Sequence, residues 1–151
     1  MTDRPRVKPP SVEISVVICT RNRAESLNRT LLRFSSIPIP GEISWEIVVV
    51  DNGSTDSTRS VIEEFRESSG LDVRYVHEQE PGLSRARNRG LREAKGKMIA
   101  FTDDDIIVDA NWITEILKES RASEDAAMIF GQTKPYSAGT PLLSIKESAN
   151  A

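Results

Sequence analysis

Apolar and polar positions follow two rhythms along this chain. Ile14-Ser15-Val16-Val17-Ile18-Cys19-Thr20 is a nearly continuous apolar run, which predicts a strand covered on both faces. Ala24–Ser36 carries Leu27, Leu31 and Phe34 at helical spacing, and Pro38, Pro40 and Gly41 close it. Trp45–Asp51 repeats the strand pattern. A helix follows from about Asp56 to Ser69, with Val61, Ile62 and Phe65 inward and a Ser or Thr as its cap. Asp72–His77 is a third, shorter strand. Pro81-Gly82 opens a helix to about Lys95, with Leu83, Ala86, Leu91 and Ala94 on one face and Gly96 as its stop. Lys97–Phe101 is a fourth, buried strand. Asp109 caps a helix bearing Trp112, Ile113, Ile116 and Leu117, and Ala126–Lys134 is a fifth strand.

This alternation predicts a Rossmann-like, three-layer α/β/α fold around a mostly parallel sheet. The expected organisation is a flexible leader over 1–12, one domain over 13–134, and 135–151 as a tail or the start of a further region. In such sheets ligands bind beyond the C-terminal ends of the strands. The polar clusters fall there: Thr20-Arg21-Asn22-Arg23 after strand one, Asp51-Asn52-Gly53-Ser54 after strand two, and Asp103-Asp104-Asp105 after strand four.

Composition narrows the classes. The chain has 151 residues, enough for one domain with a real core. Its formal charge of -3 gives no electrostatic reason to bind nucleic acid. The one cysteine, Cys19, excludes an internal disulfide and sits in a strand where packing is its expected role. The one histidine, His77, excludes a multi-histidine metal centre. No segment approaches the roughly 20 apolar residues of a membrane span, and Met1 to Pro10 lacks a signal-peptide core. The expected location is cytoplasmic, with peripheral membrane attachment as the variant.

Three adjacent carboxylates at a strand end repel one another, and a hard cation offsets that repulsion. Mg²⁺ or Mn²⁺ takes oxygen ligands and shares them with phosphates. The expected chemistry is therefore metal-assisted and directed at a phosphate ester or nucleotide. Against this stands a plain acidic turn that caps the next helix. Asp51 can accept hydrogen bonds from a base or ribose, with Gly53 allowing close backbone approach; it can equally build the turn. Arg21 and Arg23 can meet phosphates or water. Gly82 and Arg85 open a helix of dense positive charge whose first turn can hold a pyrophosphate. There is no GxxxxGK[ST] loop and no GxGxxG after strand one.

Four ordered motifs then resemble the family 2 glycosyltransferases of the GT-A fold. They are Ile14–Arg23, Val48–Asp56, Pro81–Gly90 and Met98–Asp105, and the resemblance covers about residues 13 to 133. It implies a nucleotide-diphosphate-sugar donor and transfer, with inversion, to an acceptor hydroxyl of a saccharide, lipid or protein. Thr20 and Asp51 would hold the base. Asp103–Asp105 would stand as the family's DxD motif, Asp103 on the ribose and Asp104 or Asp105 on Mn²⁺ or Mg²⁺. Many members carry an aromatic residue where this chain has Arg21. The family's catalytic base lies downstream of the fifth strand, where Glu147 is the only acid between Gln132 and Ala151. The resemblance thus implies a GT-A fold incomplete at its C-terminal acceptor side, completed by further chain or a partner, or self-associating through an uncovered sheet edge. The rivals are a donor-binding module without turnover, a nucleotidyltransferase (disfavoured because residues 20–26 lack glycine), and a domain whose acids only cap helices.

Overall fold

The structure, a computed structural model, describes residues 11–123 and residue 131. The leader up to residue 10, the expected fifth strand and the tail fall outside the described residues, apart from Gly131.

Strand and helix alternate as β1 (Ile14–Thr20), α1 (Ala24–Ser35), β2 (Trp45–Asp51), α2 (Thr58–Ser69), β3 (Val73–His77), α3 (Leu83–Glu93), β4 (Met98–Thr102) and α4 (Trp112–Ala122). The four strands form one parallel sheet in the order β3-β2-β1-β4. The chain steps outward from β1 to β3, then crosses back to the other side of β1. That reversal places a topological switch between β1 and β4, where open α/β sheets form their ligand crevice.

Alternation along β1 and β2 divides the core into two layers. Ile14, Val16, Ile18, Ile47 and Val49 pack with Leu27, Leu31, Phe34, Ile62, Phe65, Ile113 and Leu117 of α1, α2 and α4. Val17, Val48 and Val50 face Ala86 of α3 on the other side. The larger layer is stitched by aromatic edges, the Phe34 ring lying 6.2 Å from Trp45 and 6.0 Å from Trp112.

Three expectations change. Leu83 and Leu91 are exposed, and α3 buries Ala86 and Gly90 instead. A Cβ on Gly90 would collide with Val17 Cγ1 and sit 3.4 Å from Val50 Cγ2, so the helix approaches the sheet through its smallest residues. Strand β4, which ends the strand order among the described residues, is less buried than β1 and β2: only Ala100 is buried and Phe101 is 39% exposed.

Gly96 does not stop α3, which ends at Glu93 with Ala94 extended. It is instead wedged beside β1, where an added Cβ would meet Met98 O at 2.7 Å and the Ile14 carbonyl carbon at 2.8 Å. Backbone atoms cannot rotate aside as a side chain can. Gly96→Ala should therefore lower stability by about 2 kcal/mol, read as a lower urea midpoint with unchanged slope.

Candidate functional site

The ends of β1, β2 and β4 converge at the switch. Thr20 closes β1 and is 4% exposed; Asp51 closes β2 and is 2% exposed. The two are register partners, and Asn52 N donates to Thr20 O at 2.9 Å. Across the switch, Thr20 Oγ1 donates to Asp104 Oδ2 at 2.7 Å. Residues far apart in sequence are thus joined by one buried bond.

The acid cluster divides by exposure. Asp104 is 5% exposed, whereas Asp103 and Asp105 are exposed. Arg23 Nε lies 3.4 Å from Asp104 Oδ1, and its Nη2 donates to Asp105 Oδ2 at 2.8 Å. The repulsion expected among the acids is partly answered by this arginine. Helix α1 holds the loop further: Thr30 Oγ1 donates to the carbonyls of Asp104 (3.0 Å) and Ile106 (3.2 Å), and Arg33 Nε donates to Val108 O at 3.0 Å. Between α1 and this loop opens a cleft of about 710 Å³, lined by Arg23, Arg29, Arg33, Asp105, Ile106 and Ile107 among others.

Asp51 is held at both oxygens. Ser54 N donates to Oδ1 at 2.9 Å and the Tyr75 hydroxyl to Oδ2 at 3.1 Å. Burial, and then Asp51 itself, push the Tyr75 phenol above its ordinary pKa, so it stays a donor. Arg59 covers the Tyr75 ring at 5.2 Å.

Two asparagines organise the loops. Asn22 adopts a left-handed conformation (φ 51°); its N–H donates to Ser54 Oγ at 2.9 Å, and its Oδ1 accepts from Thr55 N at 2.7 Å. Asn52 donates to the carbonyls of Glu78 (3.3 Å) and Glu80 (2.7 Å) and accepts from Gly82 N at 2.8 Å. Gly82, at φ 139°, leads into α3, and Arg85 pairs there with Glu80. Asp56 accepts from Thr58 N at 3.0 Å and from Ala24 N at 3.1 Å, so one carboxylate serves the first turns of α2 and α1. The Thr58 hydroxyl bond is the main reason its pKa lies below the ordinary value.

All nine sequence candidates therefore lie at the sheet's C-terminal edge or in the loops beside it. Thr20, Arg23, Asp104 and Asp105 are joined directly; Asp51 joins them through the β1–β2 register. Gly82 connects through Asn52, and Arg85 pairs with Glu80, whose carbonyl also accepts from Asn52. Arg21 is exposed, and among the described residues it carries no ion pair. Thr30 and Tyr75 were not singled out from sequence, and Asn52 stood only as part of the polar cluster after strand two. Thr30 had a signal, as a polar residue in the apolar stripe of Leu27, Leu31 and Phe34. Cys19 is half-buried, and burial pushes its thiol up to about 11, which keeps it a packing residue.

A divalent ion suits this donor set. Among the described residues no three His, Cys, Asp or Glu side chains converge on one point. Mg²⁺ and Mn²⁺ need no such cage, because one or two carboxylates suffice when phosphates and water complete the shell.

The family model described as glycosyl transferase family 2 matches residues 15–146. The chain belongs to that family. Its relatives include the succinoglycan biosynthesis protein ExoM of Rhizobium meliloti, 31% identical over 83% of this chain and 42% of that protein. Validoxylamine A glucosyltransferase of Streptomyces hygroscopicus subsp. jinggangensis is 32% identical over 85% of this chain and 30% of its own length. Among solved structures, the mannosyltransferase PcManGT from Pyrobaculum calidifontis, in complex with GDP-Man and Mn²⁺, superposes with a TM-score of 0.66. It is 29% identical, over 72% of this chain and 32% of that one. The α/β/α sheet of this family 2 member is of GT-A type. The chain spans less than half the length of the curated relatives it matches.

Proposed function

We propose that this chain binds a nucleotide-diphosphate sugar through a divalent metal and takes part in sugar transfer, with inversion, to an acceptor hydroxyl. The observation that carries the reading is the buried Thr20–Asp104 bond, which ties the end of β1 to the acid cluster beside Asp51. Asp51, fixed by Ser54 and Tyr75, is rigid enough to read the edge of a base. Asp103 is exposed and suits the ribose hydroxyls. Asp105 is exposed and suits Mn²⁺ or Mg²⁺, while Asp104, turned inward onto Thr20 and Arg23, sets the height of the loop. The ion supplies neutralisation of the charge that grows on the departing diphosphate. Gly82, positioned through Asn52, and Arg85, exposed and paired with Glu80, lie at the start of α3 where phosphate oxygens would meet them. Arg21, in the aromatic position of many members, would lie against the base through its planar guanidinium.

In the transfer itself the acceptor oxygen bonds to the anomeric carbon as the bond to the diphosphate breaks. A carboxylate base takes the hydroxyl proton. The narrower reading, donor binding without turnover, stands as the alternative.

Calorimetric titration of the 151-residue chain with UDP, GDP and dTDP, each with and without Mn²⁺, tests donor binding. One diphosphate should bind, and only when Mn²⁺ is present. A chain folded by circular dichroism that binds none of them would defeat the proposal. Metal-independent binding would retain the donor and remove the metal.

A further inference from the structure

Three consecutive carboxylates carry a concentrated negative charge, yet Asp104 is buried among them. Part of that charge is balanced from within the chain. The Arg23 guanidinium spans two of the three acids, Nε lying 3.4 Å from Asp104 Oδ1 and Nη2 donating to Asp105 Oδ2 at 2.8 Å. Thr20 holds the remaining Asp104 oxygen from the opposite side.

The two halves of this bridge differ. Asp104 is enclosed and doubly held, whereas the Asp105 side chain is 47% exposed and that of Arg23 50% exposed. An exposed ion pair is weak and readily exchanged. The Arg23 backbone is fixed, since its carbonyl accepts from Leu27 N at 2.9 Å as α1 begins. Its side chain is long and lies beside the cleft that Asp105 also lines. The bond to Asp105 can therefore break without moving the loop.

We propose that Arg23 is a resident counter-ion, holding the acid cluster together until a divalent cation loads and takes Asp105 from it. The inference rests on Asp105 as the metal ligand. A cation and Arg23 compete for the same carboxylate, and the doubly charged ion gains more from it. Asp104 stays on Thr20 in both states, so the loop keeps its height. The guanidinium released from Asp105 is a five-donor fork beside the ion, placed to meet a diphosphate. One side chain would thus neutralise the acids in the empty site and the phosphates in the loaded one.

The probe is Mn²⁺ alone, without nucleotide, followed by the electron paramagnetic resonance of the free ion. Arg23→Ala should bind Mn²⁺ about five- to tenfold more tightly than wild type, because the competitor is gone. Its metal-free melting midpoint should fall by about 2–4 °C, and saturating Mn²⁺ should close that gap. Arg29→Ala removes an equal charge from the same cleft, but Arg29 pairs with Glu25 and not with the acids. It should leave Mn²⁺ affinity within about twofold, since exposed charges at a distance are screened. Equal or weaker Mn²⁺ binding by Arg23→Ala would overturn the proposal and leave the metal site standing. Equal tightening by Arg29→Ala would also overturn it, by reducing the effect to general charge. No Mn²⁺ on either the wild type or Arg23→Ala, both folded, would remove the metal reading itself and the counter-ion role with it.

Discussion

Asp105→Asn should weaken Mn²⁺ binding about 100-fold, and Asp104→Asn only about tenfold. The sequence offers no ground for this difference, because the three acids are adjacent and chemically alike. The structure separates them by environment. Asp105 is open to solvent and held by one exchangeable arginine contact. Asp104 is 5% exposed, with Thr20 on one oxygen and Arg23 near the other, while Thr30 holds its carbonyl. An ion reaching Asp104 would have to displace a buried hydroxyl bond. Reaching Asp105 costs only a surface ion pair. An asparagine at 104 can still accept from Thr20, so the loop keeps most of its shape and the loss there is one of orientation. The check is Mn²⁺ titration of both single variants, with circular dichroism to establish that each is folded. Equal losses would mean that the ion bridges the two acids. A larger loss at Asp104 would place the ion on the inner carboxylate and require Thr20 to turn away.

The order of elements was legible because strands covered on both faces leave short continuous apolar runs, whereas amphipathic helices leave a period of 3.6. Strands β1 and β2 have the predicted boundaries, since Thr20 and Asp51 are sharp polar ends to apolar runs. Helix α3 was harder. Leu83 and Leu91 looked like its buried face, but the helix approaches the sheet so closely that only Ala86 and Gly90 fit against Val17 and Val50. Hydrophobicity marks what can be buried, and close approach selects for smallness instead. Gly96 misled for a related reason. A glycine after a helix usually serves its left-handed end, whereas this one makes room for the neighbouring strand. At the site, the nine candidates were legible as polar strand ends and a basic helix start. Thr30 shows only as a polar residue in an apolar stripe, Asn52 only as part of a polar strand end, and Tyr75 not at all, because it acts through Asp51, 24 positions away. No local spacing records such a pairing.

At the opposite end of the sheet, Glu46→Ala should cost about 3 kcal/mol at neutral pH. The Glu46 side chain is 1% exposed. Arg74 pairs with it, the Ser15 hydroxyl donates to Oε1 at 2.6 Å, and Lys95 N donates to the same oxygen at 2.7 Å. Ser15 Oγ in turn accepts from Gly96 N at 2.7 Å, so the network fastens the turn between α3 and β4 onto β1 and β2. Alanine would leave Arg74, a hydroxyl and a backbone N–H without their acceptor, which is the costly way to break a buried pair. Glutamine keeps the volume and one acceptor oxygen, so Glu46→Gln should cost less. The charge can be isolated by pH. Burial raises the Glu46 pKa, but the bonds from Ser15, Lys95 and Arg74 outweigh it, and the net value lies below the usual 4.5. A carboxyl with a depressed folded pKa contributes stability that is present above its unfolded pKa and lost as pH falls below it. Urea unfolding of wild type and Glu46→Gln should therefore differ most near neutrality and converge progressively below about pH 4.5. A gap that stays constant through that range would assign the role of Glu46 to shape and hydrogen bonding alone, with no contribution from its charge.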